Sequence, residues 1–397
     1  MLKYLTILLI IHVVISHDGH LKKFGSVGPF AKIAETQEHL STKYFFENYV
    51  KTKTPLLMRG IAKEFKAFTK WSDEYFANKL EGYNNEYEVY VEKEKKETRN
   101  VAISLMKMKT FLNEYEAHDF YMISSVPEFL KPDVSLLSVL QCEDSQKTLE
   151  RTLLWFSSGG TKTVTHWDIW DNILCAVNGH KKVVLVDSFR FQNLTNSIID
   201  SEDQMYSTMD VDSVDFTKFP GIETIEYYNI DLNAGDCVFI PSKFIHQVDS
   251  FERNIAVNFW FTYDRLLNTD FLNKCFDNKF DPNLTLENLN YDNEVEWFRS
   301  VAVREIAAGN RELKSWRIIL ASLFQLNESD LDELELSDHV KELFDFMDFD
   351  GDGYITDEEM ADVDENRFEL IATVFMDFNQ IVNKLLKENE IEEHNEL

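Results

Sequence analysis

The chain has no CxxC pair among its four cysteines, Cys142, Cys175, Cys237 and Cys275, which argues against a zinc knuckle or a thioredoxin-type redox site. After the first residues it has no apolar run long enough to cross a bilayer, and it carries no internal repeat and no low-complexity linker. Basic residues are few, 40 Lys and Arg against 70 Asp and Glu, for a formal charge of −30. That balance argues against nucleic acid or an anionic membrane surface as partner. Disorder is excluded too, because 44% of the 397 residues are apolar, enough for two or more domains around a large core.

What is present begins with an address. "MLK" precedes "YLTILLIIHVVIS", an apolar run too short for a comfortable membrane span and suited to a signal peptide cleaved after Ser16. The chain ends in "HNEL", which resembles the retention signals of the endoplasmic reticulum. The expected location is therefore the lumen of that compartment, with secretion as the alternative. Sequons at Asn193, Asn283 and Asn327 fit this route. Cys142 and Cys275 lie in polar surroundings and could pair in an oxidising lumen. Cys175 and Cys237 sit in apolar runs and are expected to be buried thiols.

From Thr42 to Cys142 the pattern is mixed. "FFENYVKTKTPLLMRG" predicts a helix, a turn at Pro55 and a strand; "EYEVYVEKE" alternates as a strand; "SLMKMKTFLNEY" has helical spacing. From Thr152 to Phe261 the signal is strands: "TLLWFSS", "NILCAV", "KKVVLVD", "DCVFIPS" and "NIAVNFWF". Turn residues at Gly159-Gly160, Asn178-Gly179 and Gly235-Asp236 separate them, as in an antiparallel sandwich or barrel. Beyond Tyr263 the chain turns helical and acidic.

One stretch conflicts with its surroundings. "THWDIWDN" reads as a buried strand yet carries His166 and Asp168, and an unpaired carboxylate is costly to bury. On a strand the two face the same side, and Asn172 keeps that parity. With His246, which follows the strand "DCVFIPS", they form the two-histidine, one-carboxylate set that holds ferrous iron with open positions. Lys181, thirteen residues after Asp168 and just past the Asn178-Gly179 turn, would be an unpaired buried ammonium unless it met an anion such as a 2-oxoglutarate carboxylate. Thr163 and Asn172 offer polar groups to the same pocket, though Thr163 has the wrong parity with His166 for a regular strand.

The stretches "TVTHWDIWDNILCAVNGHKKVVLVD", "LNAGDCVFIPSKFIHQV" and "RNIAVNFWF" resemble the JmjC-type 2-oxoglutarate oxygenases, nearest to the cupin-like subgroup that includes the asparaginyl hydroxylase of hypoxia-inducible factor. "FFENYVKTKTPLLMRG" resembles that subgroup's amino-terminal entry. The match is specific over about residues 151–262, looser from 42 to 150, and absent beyond about 265. The resemblance implies a mainly β core, a double-stranded β-helix of jelly-roll, cupin-like type, with flanking helices. It implies His166, Asp168 and His246 as catalytic iron ligands. Lys181 and Thr163 would then bind the far carboxylate of 2-oxoglutarate, and Asn172 and Asn258 would line its pocket. The implied reaction is oxidative decarboxylation of 2-oxoglutarate coupled to hydroxylation of a C–H bond.

A second metal site is written in "DFDGDGYITDEE", which fits a twelve-residue EF-hand loop. Asp348, Asp350 and Asp352 take the first, third and fifth positions, Gly353 the turn, Tyr354 a backbone carbonyl, Thr356 a direct or water-mediated contact and Glu359 the bidentate end. No second good loop is visible, which leaves a degenerate partner or pairing across a homodimer through the C-terminal helices.

The expected organisation is a signal peptide at 1–16, an N-terminal α/β part at 17–150, the barrel core at 151–262, a helical extension at 263–330, the EF-hand at 335–372 and an acidic tail at 373–397. The expected function is an Fe(II)- and 2-oxoglutarate-dependent dioxygenase hydroxylating protein or peptide side chains in the secretory pathway, with a bound calcium ion. The alternative is a calcium-dependent binding or chaperone-accessory protein whose barrel does not turn over.

Overall fold

The computed structural model describes residues 20–83, 86–94, 103–146, 148–168, 170–199, 206–262, 275, 280–289, 311–323, 329–333, 336–345, 347–348, 350–356, 359 and 382. The 1–16 segment, the 294–308 stretch expected to be helical, Asn327, the segment that follows the acidic loop and the terminal HNEL lie outside them. The chain divides into two compact units, Met1–Leu289 and Asn290–Leu397.

In the first unit eleven strands join in one sheet. They are β1 (Phe30–Ala31), β2 (Ala34–Thr36), β3 (Leu56–Met58), β4 (Glu88–Glu92), β5 (Ile103–Lys107), β6 (Tyr121–Ser125), β7 (Leu149–Ser157), β8 (Asp171–Val186), β9 (Tyr227–Asn233), β10 (Cys237–Ile240) and β11 (Ile245–Phe261). Their main order is β2-β3-β10-β8-β11-β7-β6-β4-β5, with β9 pairing β8 and β1. A mainly β core results, as expected.

The two longest strands set the site. β8 and β11 pair antiparallel along their length, from Ile245 opposite Val186 to Phe261 opposite Asp171. The expected turn at Asn178-Gly179 is therefore not a reversal: "NILCAV" and "KKVVLVD" belong to one sixteen-residue strand. The strand kinks there instead. Asn178 and Ala176 of β8 face consecutive residues, Ile255 and Ala256, of β11, so β8 carries an extra residue at that point. Such a bulge shifts side-chain parity and bends the strand. Leu174 and Ala176 before it and Val183 and Leu185 after it consequently share one buried cluster with Val238, Ile240 and Val248. Gly179 takes φ 74° at the kink, and a Cβ there would lie 2.5 Å from the Arg253 carbonyl, so glycine is required on both counts.

Both faces of β8 are covered, since Val184 and Val186 pack into a second cluster with Phe24, Ile222 and Tyr227. This explains the unbroken apolar runs in its sequence. A helical turn at Thr42–Phe45, capped by the Ser41 hydroxyl accepting from Tyr44 N–H, continues into Phe46–Val50. Its Phe45 ring meets Phe239 of β10 and Phe46 meets Phe261 of β11. "SLMKMKTFLNEY" is half corrected: Ser104–Lys107 continue β5, because Val91 and Tyr90 of β4 pair with Ser104 and Leu105, and the helix begins only at Met108.

All four cysteines are paired. Cys142 joins Cys275 as the polar surroundings suggested, whereas Cys175 and Cys237 form a disulfide rather than two thiols. They stand opposite each other on β8 and β10 with Cα atoms 4.0 Å apart, a proximity that the strand pairing creates and that spacing in the chain does not reveal.

In the second unit, helices Leu313–Leu323 and Ser337–Asp345 bury Trp316, Leu320, Val340, Leu343 and Phe344. Arg317 ties them by donating to Ser337 Oγ and Asp332. Among the described residues no helix is long and apolar enough to cross a membrane.

Candidate active site

"THWDIWDN" is not a regular strand. β8 starts only at Asp171, and the preceding residues run beside β11 as an irregular segment. His166 and His246 exchange backbone hydrogen bonds, 3.1 and 2.7 Å, which sets the two imidazoles side by side with centroids 4.2 Å apart. Asp168 is anchored by its carbonyl, which accepts from Lys243 N–H at 2.7 Å. Its carboxylate reaches toward both rings, with Oδ1 3.9 Å from His166 Nε2 and Oδ2 3.6 Å from His246 Nε2.

Each imidazole is oriented from behind. His166 Nδ1 lies 2.8 Å from the Val164 carbonyl and His246 Nδ1 3.0 Å from the Phe244 carbonyl. A carbonyl can only accept, so Nδ1 carries the proton and Nε2 presents a lone pair to the centre. Burial, followed by the neighbouring His166, pushes His246 down to about 4, which keeps it neutral and ready to ligate. One ligand atom from each of the three residues falls within 4.8 Å of the others. Two imidazoles and one carboxylate, converging in a partly buried cleft, suit a first-row divalent ion such as ferrous iron.

The cleft beside them holds about 420 Å³ including its open mouth, and Thr163, Asn172, Lys181 and Asn258 all line it. The irregularity that Thr163 required is present. Its backbone N–H donates to the Val248 carbonyl, and its Oγ1 accepts from Val248 N–H at 2.9 Å. That leaves the Thr163 hydroxyl proton free to point elsewhere. Lys181 lies inside β8 rather than at the start of a strand, opposite Ser250 of β11. It is 2% exposed, and burial pushes its ammonium down to about 7. Asn258 is fixed by Leu153 N–H, which donates to its Oδ1 at 3.1 Å.

Sequence reasoning missed three aromatic residues that line the cleft, Tyr121 of β6, Trp155 of β7 and Trp260 of β11, and Ser250 of β11, whose Oγ accepts from Lys181 Nζ. Ser250 and Trp260 were within reach, since they share strand parity with His246 and Asn258. Tyr121 was not, because β6 meets the barrel only through its pairing with β7. The Nε1 atoms of Trp155 and Trp260 and Oδ1 of Asn172 are buried without a protein partner. Unsatisfied buried polar groups are rare, and three around one cleft fit a polar ligand such as 2-oxoglutarate.

The acidic loop of the second unit stands by itself. Asp348, Asp350 and Asp352 each offer an oxygen within 4.8 Å of the others. Asp348 accepts from Gly351 and Gly353 N–H, both at 2.9 Å. Glu359 closes the loop by accepting from Thr356 N–H and Oγ1, each at 2.8 Å, and from Asp350 N–H at 3.3 Å. Tyr354 is exposed and bridges to Glu312. Next to it Ile355 N–H donates to the Arg311 carbonyl at 2.8 Å, and the Arg311 guanidinium donates back to the Ile355 carbonyl. The loop is therefore braced by a segment of its own chain. Such an all-oxygen donor set suits a hard cation such as calcium.

Among known proteins, the chain is similar to lysine-specific demethylase JMJ30 of Arabidopsis thaliana, 27% identical over 58% of this chain and 55% of that protein. It is 34% identical to the tRNA wybutosine-synthesizing protein 5 of Gallus gallus, over 38% of this chain and 48% of the relative. JmjC domain-containing protein F of Dictyostelium discoideum is 24% identical over 56% of this chain and 60% of its own length. The chain thus spans about half of the curated relatives it matches. The family described as the cupin-like domain matches residues 42–265, more than half of the sequence and all of the cleft, and the chain belongs to that family.

Proposed function

We infer that the chain is an Fe(II)- and 2-oxoglutarate-dependent dioxygenase that hydroxylates side chains of proteins in the lumen of the endoplasmic reticulum. The observation that carries the reading is the convergence of His166, Asp168 and His246 beside a cleft lined by a buried lysine to which no carboxylate is paired among the described residues. Bound iron with 2-oxoglutarate would let dioxygen put one atom into a substrate C–H bond and the other into succinate as carbon dioxide leaves. The chain's own part is positional. His166 and His246 hold their rings by Nδ1–H bonds to carbonyls, Lys181 and Thr163 offer donors to a carboxylate, and Trp155, Trp260 and Tyr121 wall the cleft against bulk water.

The names of the relatives point to methylated lysine and to tRNA. A formal charge of −30 works against RNA as a substrate. Pairing of all four cysteines in two disulfides favours an oxidising compartment and hence secretory clients. The test is conversion of 2-oxoglutarate to succinate by iron-loaded protein, followed by a search for a 16-dalton gain on lumenal peptides. Succinate formation supports the oxygenase, and its absence under anaerobically loaded iron favours a barrel used only for binding.

The reading includes a structural calcium ion held by Asp348, Asp350, Asp352, Tyr354, Thr356 and Glu359. Arg311 braces the loop within one chain, which supports an ion held without help from a second copy. Four carboxylates repel one another without a cation, and an ion at a hundred times its dissociation constant stabilises by about 2.7 kcal/mol. Calcium chelation or Glu359→Gln is expected to speed hydrogen exchange across 311–356 while 2-oxoglutarate turnover persists. Exchange unchanged by calcium over a titration would refute the site.

A further inference from the structure

Lys181 is held in an unusual way for a buried cation. It is 2% exposed, and among the described residues no carboxylate forms an ion pair with it. Its Nζ donates to one protein atom, Ser250 Oγ, at 2.7 Å. An ammonium has three N–H donors and no acceptor, so two remain for whatever enters the cleft.

Ser250 is itself fixed on both sides of its backbone. It faces Lys181 in the β8–β11 register, its N–H donates to the Thr161 carbonyl at 2.9 Å, and its carbonyl accepts from Gly160 N–H at 2.8 Å. The β8 bulge at 176–178 is what turns Lys181 inward on the face shared with Leu174, and the irregular 160–163 segment pins Ser250 opposite it. A four-carbon stem has several staggered torsions, and this single acceptor selects among them. The Lys181 head is thereby held at one depth, in the cleft that Thr163 also lines.

We propose that Ser250 is a positioning residue that presets Lys181 and so fixes the length of dicarboxylate the cleft accepts. The inference rests on the 2-oxoglutarate reading above and deepens it. A ligand with the same 2-oxo acid head but no far carboxylate would not feel Ser250. A dicarboxylate of the right length gains a charge-assisted contact in a preorganised position. One carbon more or less would require the ammonium to move, which the Ser250 contact resists.

The experiment measures equilibrium binding to the anaerobic, iron-loaded full chain, with 2-oxoglutarate, 2-oxoadipate and pyruvate as probes. Ser250→Ala is expected to weaken 2-oxoglutarate about tenfold, to leave pyruvate unchanged and to compress the preference for 2-oxoglutarate over 2-oxoadipate. Ser250→Thr, which keeps the oxygen, is expected to restore both values. Ser250→Cys, similar in size but a weak acceptor, is expected to behave as the alanine variant and guards against a folding artefact. Equal weakening of pyruvate and 2-oxoglutarate, or unchanged 2-oxoglutarate affinity in both the Ala and Cys variants, would overturn the role of Ser250 alone. Failure of the unmodified protein to bind 2-oxoglutarate would overturn it together with the oxygenase reading.

Discussion

Asp168→Ala is expected to lower 2-oxoglutarate turnover roughly a thousandfold or more, the scale of losing a whole catalytic group, while the metal-free protein melts at the same temperature or a few degrees higher. The sign of the second effect follows from the site. The Asp168 carboxylate is mostly buried, and its nearest cationic candidates are two imidazoles at 3.6 and 3.9 Å. Of these, His246 is driven toward its neutral form by burial. An ionised carboxylate so placed pays desolvation with little return until a metal arrives. The segment does not depend on that side chain for its course, because the Asp168 backbone carbonyl is what accepts from Lys243 N–H. Metal-free melting separates this outcome from simple misfolding. Wild-type turnover in the variant would remove Asp168 from the reaction.

Lys181→Met is expected to do something similar in a different place: stabilise the ligand-free protein by about 1–4 kcal/mol, the range for replacing buried charge by a well-packed apolar group, and weaken 2-oxoglutarate by about a hundredfold or more. The lysine falls from 10.5 to about 7 through burial alone, so its charged form is the costly one in the folded state. Below about pH 7 it is protonated whether folded or unfolded, and the penalty is full. As pH rises from 7 to 10.5 the folded protein sheds the proton first, and the penalty fades. The stability advantage of the methionine variant is therefore greatest below pH 7 and vanishes near 10.5, which denaturant titrations at several pH values would reveal. A variant less stable than wild type at pH 6 would show that Lys181 supports the fold rather than taxing it.

The site was legible in the sequence chiefly through residue types and the family resemblance. His246 was placed by its position after the strand "DCVFIPS" and Asn258 by the resemblance alone, and both lie on β11. His166 and Asp168 were found on the assumption of a strand, yet they occupy an irregular segment whose geometry comes from backbone exchange between His166 and His246. Lys181 was placed after a turn because Asn178-Gly179 is a strong local turn signal; pairing with β11 overrides that signal and converts it to a bulge. The Cys175–Cys237 pair was misread for a related reason, since only the β8–β10 register brings the two together. Tyr121 and Trp155 carried no local mark at all, because their place in the cleft depends on strands arriving from far along the sequence.

The two disulfides are nested: the Cys142–Cys275 link spans 133 residues and contains the Cys175–Cys237 link, which spans 62. Everything from β7 to β11, with His166, Asp168, His246 and Lys181, lies inside the larger loop. Tension applied at the two ends of the chain would consequently pass from Cys142 to Cys275 through the sulfur–sulfur bond and bypass the barrel. About 450 Å of contour, at roughly 3.4 Å per residue, would stay hidden from a pulling force until a reductant cut that bond. A machine that unfolds proteins by threading them from one end would meet the oxidised barrel as a closed ring rather than as a string.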